Sequence, residues 1–485
     1  MRFQVPGLTA SQIDVPDSDW AATPKSVHEA YGRVIAAMGA TISTLQKRLD
    51  VLEEKLNTNS RNSGKPPSSD PPGTLPNRGK QNAGERKKGG QPGHDGRTRR
   101  VFPEQEVDNV VDVAPKLCGS CGHSLDEVEA LPYLAHQILE LLEKPYFITE
   151  YRLQSRLCPC CNQTSHGHLP EGVSPRNFGP RLTAALSLMA GVFHMSRRDI
   201  TSLAKDILGI EISLGTVSSL EGLVTDAIAG AHQEVAEAIQ KEEVAGIDDS
   251  SWRKDNKYAC LWAMTSSRLT LYRITVDKSE KSAASVVGDF SGVLTSDRAK
   301  NLDFFQGWRQ TCWAHLDRHF KRMSERPGLS QQVGLDAMAV HDQVFHVWHQ
   351  YKAEVIDADQ LFDTLKGPRI ELQAILERGT RCGHTKTQNT CFNLLEIYDR
   401  LWTFSYLEGV EPTNNTTEQK IRTGVLWRRT SHGSQSERGT RFAESILTVA
   451  ATCRQQGLSV LAFLEESLVS FLKKIPGPTL RPAPT

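Results

Sequence analysis

The sequence predicts a multidomain α/β protein in which a strand-rich core, interrupted by a helical insertion, follows several smaller units. Three observations carry this. The 485 residues exceed what one hydrophobic core normally holds, so about three folded units with linkers are expected. The apolar period changes along the chain, from a helical seam near the N-terminus to strand-like alternation after residue 244. Two cysteine pairs, Cys118/Cys121 and Cys158/Cys161, bracket a segment of their own.

Composition narrows the function class. Hydrophobic residues make up 38% and charged residues 24%, and no apolar run reaches the roughly 20 residues of a membrane-spanning helix. The first twenty residues carry neither a basic leader nor an apolar core, which predicts a cytoplasmic protein, nucleoid-associated if the chain acts on DNA. In that compartment the ten cysteines are thiols or metal ligands rather than disulfides. Formal net charge is zero, so the bulk says nothing about nucleic acid, but local charge does. Residues 61–100 hold ten Lys/Arg against three acids, and residues 418–441 hold six against two.

Residues 1–57 form the first expected unit. Ile35, Met38, Ile42, Leu45, Leu49, Leu52 and Leu56 follow an unbroken 3-4 spacing, which predicts a coiled-coil seam and through it a homo-oligomer. An amphipathic helix packed on the protein's own body is the alternative. Residues 58–100 are rich in Asn, Ser, Pro and Gly and read as a flexible basic linker. Residues 101–175 place strand-like text, QILELLEKPYFITEYRLQSRL, between the cysteine pairs and predict a small zinc-binding β unit.

Residues 176–240 read as a helical DNA-binding domain. Leu182, Leu186, Met189 and Val192/Phe193 form one apolar stripe. The following text predicts a helix, a turn at Gly209 and a second helix capped by Ser213 or Thr216. This pair is a helix-turn-helix candidate, with Arg197 and Arg198 as DNA contacts; an ordinary packed helix pair is the equal alternative. From 241 to 324, AGIDDSSW, KYACLWAMTS and LTLYRITV read as strands, Ser279 to Asp289 as a helix, and GVLTSD and RQTCWAHL as further strands. Three strands, helix, strand, helix, strand is the order of an RNase H-like core. Residues 325–413 are too long for an ordinary loop and predict a helical insertion. Residues 414–475 supply the last part of the core and C-terminal helices, and the Pro-rich 476–485 a disordered tail.

The candidate chemistry lies in carboxylates. Two-metal phosphoryl transfer needs acidic oxygens converging on two Mg²⁺ (or Mn²⁺) ions about 4 Å apart. Asp248 closes the apolar run Val244, Ala245, Ile247, and Asp297 closes GVLTSD, so two strand-terminal aspartates on adjacent strands are expected to share a metal. Glu418 completes the set from a helix opening after PTNN. Asp249 is a rival to Asp248, since a bulge at the strand end would exchange them, and either Asp alone is more often a turn former or cap.

Cys118, Cys121, Cys158 and Cys161 make two C-x2-C knuckles, each followed by a Gly or Asn suited to a left-handed turn, and together predict one structural Zn²⁺. His123 is a substitute ligand, Cys160 a spare, and buried free cysteines the alternative. His315, in Cys312-Trp-Ala-His315, is expected near the metal site, and a buried core histidine is at least as common. Arg298, Arg422, Arg428 and Arg429 flank the carboxylates as candidate phosphate contacts, against a solvated basic face.

The chain resembles transposases of the insertion sequence 66 family from the leucine seam to the C-terminus. NSRNSGKPPSSD, GGQPGHDGRTR, GPRLTAALSLM, SLGTVSSL, IDDSSWR, TSDRAKNL, CWAHLDRHF and NNTTEQKIR, with a closing helical tail, carry the resemblance. It implies a DDE-type transposase: a metal-dependent enzyme of DNA cleavage and strand transfer acting on double-stranded DNA at element ends and target, with or without accessory proteins. It carries the first carboxylate onto Asp248, the second onto Asp297 and the third onto Glu418, and the Cys-x-x-His motif onto Cys312 and His315, giving His315 a catalytic role. Departures are Asp249 where Glu is usual, Gln419 where a basic residue is common, and WRRT at 427–430. A catalytically decayed DNA-binding regulator and a structure-specific nuclease of the same fold are the competing functions.

Overall fold

A computed structural model describes residues 22, 24–59, 62, 102–129, 135–174 and 176–482. In chain order the elements are α1 (Lys25–Leu56), β1 (Ser155–Leu157), β2 (Thr164–His166), α2 (Pro180–Gly191), α3 (Arg197–Asp206), α4 (Leu214–Ala227), α5 (Ala229–Ala238), β3 (Val244–Lys254), β4 (Lys257–Thr265) and β5 (Thr270–Thr275). They continue with α6 (Glu280–Val287), β6 (Val293–Ser296), β7 (Arg309–Thr311), α7 (Trp313–Ser324), α8 (Leu329–Lys352), α9 (Ala358–Gly379), α10 (Thr385–Glu396), α11 (Asn415–Ser431), α12 (Glu437–Gln455) and α13 (Val460–Lys473). The chain divides into two compact units, one of residues 1–74, 315–349 and 367–396, the other of 75–314, 350–366 and 397–485. No helix among the described residues is long and apolar enough to cross a membrane.

The larger unit is organised by one mixed sheet in the order β5-β4-β3-β6-β7, with β3, β4 and β5 antiparallel and β3, β6 and β7 parallel. The β3–β4 hairpin turns on Asp255 and Asn256, both at positive φ, the pair of left-handed residues that matches strand twist in a two-residue turn. β4 is buried from Ala259 to Thr265, and Trp252, Trp262 and Tyr272 are among its largest fully buried neighbours. Between β6 and β7 the expected helix is only a 3-10 turn, Lys300–Leu302.

Both sheet edges are closed by side chains rather than strands. α12 runs beside β5 and presents residues four apart: Glu444 Oε1 accepts from Ile274 N–H (2.6 Å), Thr448 Oγ1 from Tyr272 N–H (2.9 Å) and Thr452 Oγ1 from Thr270 N–H (3.2 Å). Alternate residues of a strand rise by about 6.6 Å and four helical residues by about 6 Å, so the two repeats stay in step and the edge has no N–H left for another chain. At the other edge Gln310 of β7 donates to Leu401 O and accepts from Phe404 N–H.

The helices α2 to α5 share a core with α12 and α13, through Leu186, Ile200, Val217, Leu220 and Val224 against Ile446, Leu464 and Leu468. Ser196 and Asp199 form a capping box that starts α3, Gly209 takes the positive φ expected of it, and Ser213 rather than Thr216 caps α4. From Thr216 to Thr225, however, α4 has no exposed residue. Its first turn and Asp226 face solvent, and the rest of the helix packs as core. Phe193, assigned to the apolar stripe of α2, is 60% exposed. Residues 479–481 are also anchored where a disordered tail is expected: Leu480 is fully buried and the Thr479 hydroxyl donates to Glu234.

In the smaller unit the end of α1 is tied to the end of α7. Asn62, 3% exposed, accepts from Asn59 N–H and donates to Asn57 O and to Glu325 Oε2 (2.6 Å), while Arg322 donates to Thr58 Oγ1. The first residues of the expected flexible linker are therefore docked; residues 63–100 lie outside the described residues. A buried Arg326–Thr387–Ser330 network joins the start of α8 to α10. All seven seam residues of α1 are exposed, Leu56 at 85%, so the helix does not pack its seam on its own chain among the described residues.

Candidate active site

The site grows out of the place where two parallel strands part. β3 and β6 pair at Val244↔Val293, Ala245↔Leu294 and Gly246↔Thr295, after which β6 ends at Ser296. Asp297 is the next residue on one arm of this fork and Asp248 lies two residues beyond the last pair on the other. Asp248 is not strand-terminal as its pattern suggested: β3 runs on to Lys254, held by β4 alone. The end of the pairing, not of the strand, opens the fork.

Each aspartate is held locally. Asp248 Oδ1 accepts from Asp249 N–H (2.8 Å), and Asp297 Oδ1 accepts from Ala299 N–H (2.9 Å). The Ser296 hydroxyl donates to Asp297 O and accepts from the buried Arg309 guanidinium. The rival Asp249 faces elsewhere: both its oxygens accept from Lys278 Nζ at 3.0 Å, with Cys260 Sγ at 3.6 Å.

Glu418 reaches the fork because of Asn414. This N-cap residue is 4% exposed; its Nδ2 donates to Ile247 O (2.9 Å) and its backbone N–H to Cys312 Sγ (3.2 Å). The start of α11 is thereby fastened to β3 one residue before Asp248. Such a close approach needs Gly246, where a Cβ would overlap Thr417 Oγ1 and Asn414 Oδ1. Glu418 lies in the first turn of α11, with Oε1 3.7 Å from Cys312 Sγ.

Asp248, Asp297 and Glu418 are each half-buried and near enough for their charges to interact, although their oxygens do not all lie within 4.8 Å of one another. Burial first, then the negative charges of Asp297, Asp249 and Glu418, push the Asp248 carboxyl up to about 7, against the pull of the Asp249 N–H. His315 stands in the first turn of α7, three residues after Cys312. Gly246, Asn414, Thr417 and Cys312 as a clamp were not read from the sequence, although the Asn-Asn-Thr-Thr-Glu spacing was the available signal.

The arginines divide into two groups. Arg198, Arg422 and Arg429 are exposed. Arg298 is half-buried, its guanidinium pKa lowered by burial and partly restored by Asp297. Arg428, by contrast, donates to Ser250 Oγ, Ser251 O and Ser251 Oγ, pinning α11 to β3. Arg197 makes a bidentate pair with Glu221, which is 5% exposed, holding α3 to α4. These two, expected as DNA contacts, are each tied in part to the protein, Arg428 through Nη1 and Arg197 through Nε and Nη2.

The two cysteine knuckles have one backbone design. Cys118 N–H donates to His123 O and Gly122 N–H to Cys118 O; Cys158 N–H donates to Gln163 O and Asn162 N–H to Cys158 O. Gly122 and Asn162 both take the left-handed φ. In each knuckle backbone N–H groups hold the first thiol below its ordinary range. Among the described residues the four sulfurs do not gather within 4.8 Å of one another. The strand-like text between the pairs forms only Ser155–Leu157 of β1; among the described residues Ile138 to Leu153 has no strand partner and is largely exposed.

Residues 22–100 match a family of unknown function (DUF6444). An uncharacterized protein, y4hP, of Sinorhizobium fredii (strain NBRC 101917 / NGR234) is 22% identical over 422 residues, covering 76% of this chain and 73% of that protein. Residues 176–442, which hold the whole sheet, α7 to α11 and the carboxylate fork, match the model of the Transposase IS66 family. That match covers more than half of the chain, which therefore belongs to the IS66 family of transposases.

Proposed function

We propose that this transposase cleaves phosphodiesters at the ends of its element and joins them to target DNA, with Asp248, Asp297 and Glu418 as ligands for two Mg²⁺ (or Mn²⁺) ions. The carrying observation is the placement of Asp248 on β3, Asp297 at the end of β6 and Glu418 in the first turn of α11, where burial first and then the charges of Asp297, Asp249 and Glu418 raise the Asp248 carboxyl. An oxygen-only donor set whose like charges repel is relieved by a hard divalent cation, and the residues fit one. The strand order third-second-first-fourth-fifth, three antiparallel and two parallel, supports an RNase H-like core. When bound, the metals supply activation of the attacking oxygen and stabilisation of the leaving one.

The chain's own residues position that chemistry. Asn414 fixes Glu418 against β3, and the Arg309–Ser296 contact steadies the turn bearing Asp297. Arg198, Arg298, Arg422 and Arg429 are assigned to DNA phosphates, and His315 to the scissile phosphate. The test is incubation of the purified chain with Mg²⁺ and duplex DNA carrying the element's own ends, scored for 3′ nicks and joined products. Absence of both products with Mg²⁺ and with Mn²⁺ would sink the reading.

One Zn²⁺ is assigned to Cys118, Cys121, Cys158 and Cys161, the two knuckles closing on a shared ion as it binds. Replacing Cys118 and Cys121 with Ser should lower the zinc content from about one per chain to near zero and expose residues 101–175 to proteolysis. Wild-type protein without zinc by metal analysis removes the assignment.

The exposed α1 seam is assigned to a second copy of the same helix, because an uninterrupted 3-4 spacing is complementary to itself. Leu45→Glu with Leu52→Glu should therefore shift sedimentation to a smaller species. An oligomer that persists unchanged in the double variant would place self-association elsewhere.

A further inference from the structure

On the side of α11 away from Glu418 lies a second site. Lys420 and Thr423 are displaced from Glu418 by roughly 200° and 140° around the helix and so face the other way, with Gln419, at roughly 100°, to the side. With Gly191 at the end of α2, Tyr272 of β5 and Arg454 of α12, they line a cavity of about 220 Å³. At about 30 Å³ per water this has room for a phosphate group and several waters.

The charge in this cavity is one-sided. Its lining contains Lys420 and Arg454 and no Asp or Glu. Among the described residues neither cation makes a salt bridge. Tyr272 is anchored there by donating its hydroxyl to Lys420 O (2.7 Å), and Thr423 adds a second hydroxyl. Burial and then Arg454 lower the Lys420 amine, and the same guanidinium bears on His194 and Tyr272. Lys420 is partly desolvated and the exposed Arg454 faces the same small space, so an anion between them would relieve their repulsion.

We propose that this cavity is a phosphate-binding site, held by Lys420, Arg454 and Thr423 and separate from the carboxylate fork. Its most accessible source of phosphate is the backbone of bound DNA; a free phosphate or pyrophosphate is the other. The site stands on its own residues, whether or not the three carboxylates hold metal. Because its floor is α11, occupancy would bear directly on the helix that carries Glu418.

The test uses the full chain and its Lys420→Gln, Arg454→Gln double variant, with Lys420→Arg, Arg454→Lys as the charge-preserving control. Calorimetry measures inorganic phosphate and pyrophosphate, and fluorescence anisotropy measures duplex DNA over a salt series. If DNA supplies the phosphate, the Gln variant loses duplex affinity and its log-log salt slope falls by about 1, while the control keeps both. If a free anion does, phosphate or pyrophosphate binding is lost in the Gln variant and the duplex slope is unchanged; this too supports the site. Binding of all three ligands that is identical in wild type and a correctly folded Gln variant overturns it. Repeating the series in Asp297→Asn protein separates the two sites: the carboxylate reading concerns only cleavage, and the cavity's binding should persist there.

Discussion

Asp297→Asn and Glu418→Gln should each abolish Mg²⁺-dependent cleavage and strand transfer while leaving duplex affinity near wild type. Each exchange keeps the shape of the side chain and removes one anionic oxygen from the fork. A metal in such a site provides several kcal/mol of transition-state charge stabilisation, and at about 1.4 kcal/mol per tenfold its misplacement costs on the order of a thousandfold in rate or more. In the proposed assignment DNA affinity rests on other groups, the exposed Arg198, Arg422 and Arg429, so an anisotropy titration should be unmoved. Calorimetric titration with Mn²⁺ gives an independent readout, since either variant should also lose metal affinity. A variant that cleaves at the wild-type rate removes its residue from the catalytic set.

Gly246→Ala should be nearly as damaging, although the residue has no chemistry of its own. The new methyl would overlap Thr417 Oγ1 and Asn414 Oδ1, neither of which can withdraw without releasing the start of α11. Asn414 would lose its bond to Ile247 O, and Glu418 would leave the fork with it. Overpacking at a closed contact costs about 1–3 kcal/mol, so a lower denaturation midpoint should accompany the lost cleavage. That pairing separates this variant from Asp297→Asn, which should lose activity without comparable loss of stability. Adding Thr417→Ala removes one of the two overlaps and should restore part of both. Unchanged stability and cleavage in Gly246→Ala would mean that β3 and α11 are not in the contact described.

What the sequence by itself determined is what local physics encodes. Apolar period distinguished the α1 seam, the strands after 244 and the long helical stretch before 413, because burial of one face depends on spacing alone. The Gly122 and Asn162 positions after the cysteine pairs carried the left-handed turns they adopt. The same local text misled where partners were needed. Ile138 to Leu153 has strand composition, yet among the described residues it meets no neighbouring strand to hydrogen-bond with. Arg197 and Arg428 look like free cations in the sequence, whereas in the fold Glu221 accepts from the first and Ser250 Oγ, Ser251 O and Ser251 Oγ accept from the second.

Only the tertiary structure decided which acid faces the fork. Spacing could not separate Asp248 from Asp249, because their exchange turns on strand pairing; Lys278, distant in sequence, takes Asp249 and leaves Asp248 beside Asp297. Nor could spacing bring Glu418 across more than a hundred residues. That depends on one missing Cβ at Gly246 and one amide at Asn414 meeting Ile247, a contact between segments with no signal in either alone. The closing of the β5 edge by Glu444, Thr448 and Thr452 is of the same kind: an i+4 polar stripe reads as a solvated face until a strand of matching repeat lies against it. Local propensity sets what each segment can become, and the identity of the groups that meet over long distances sets what it does.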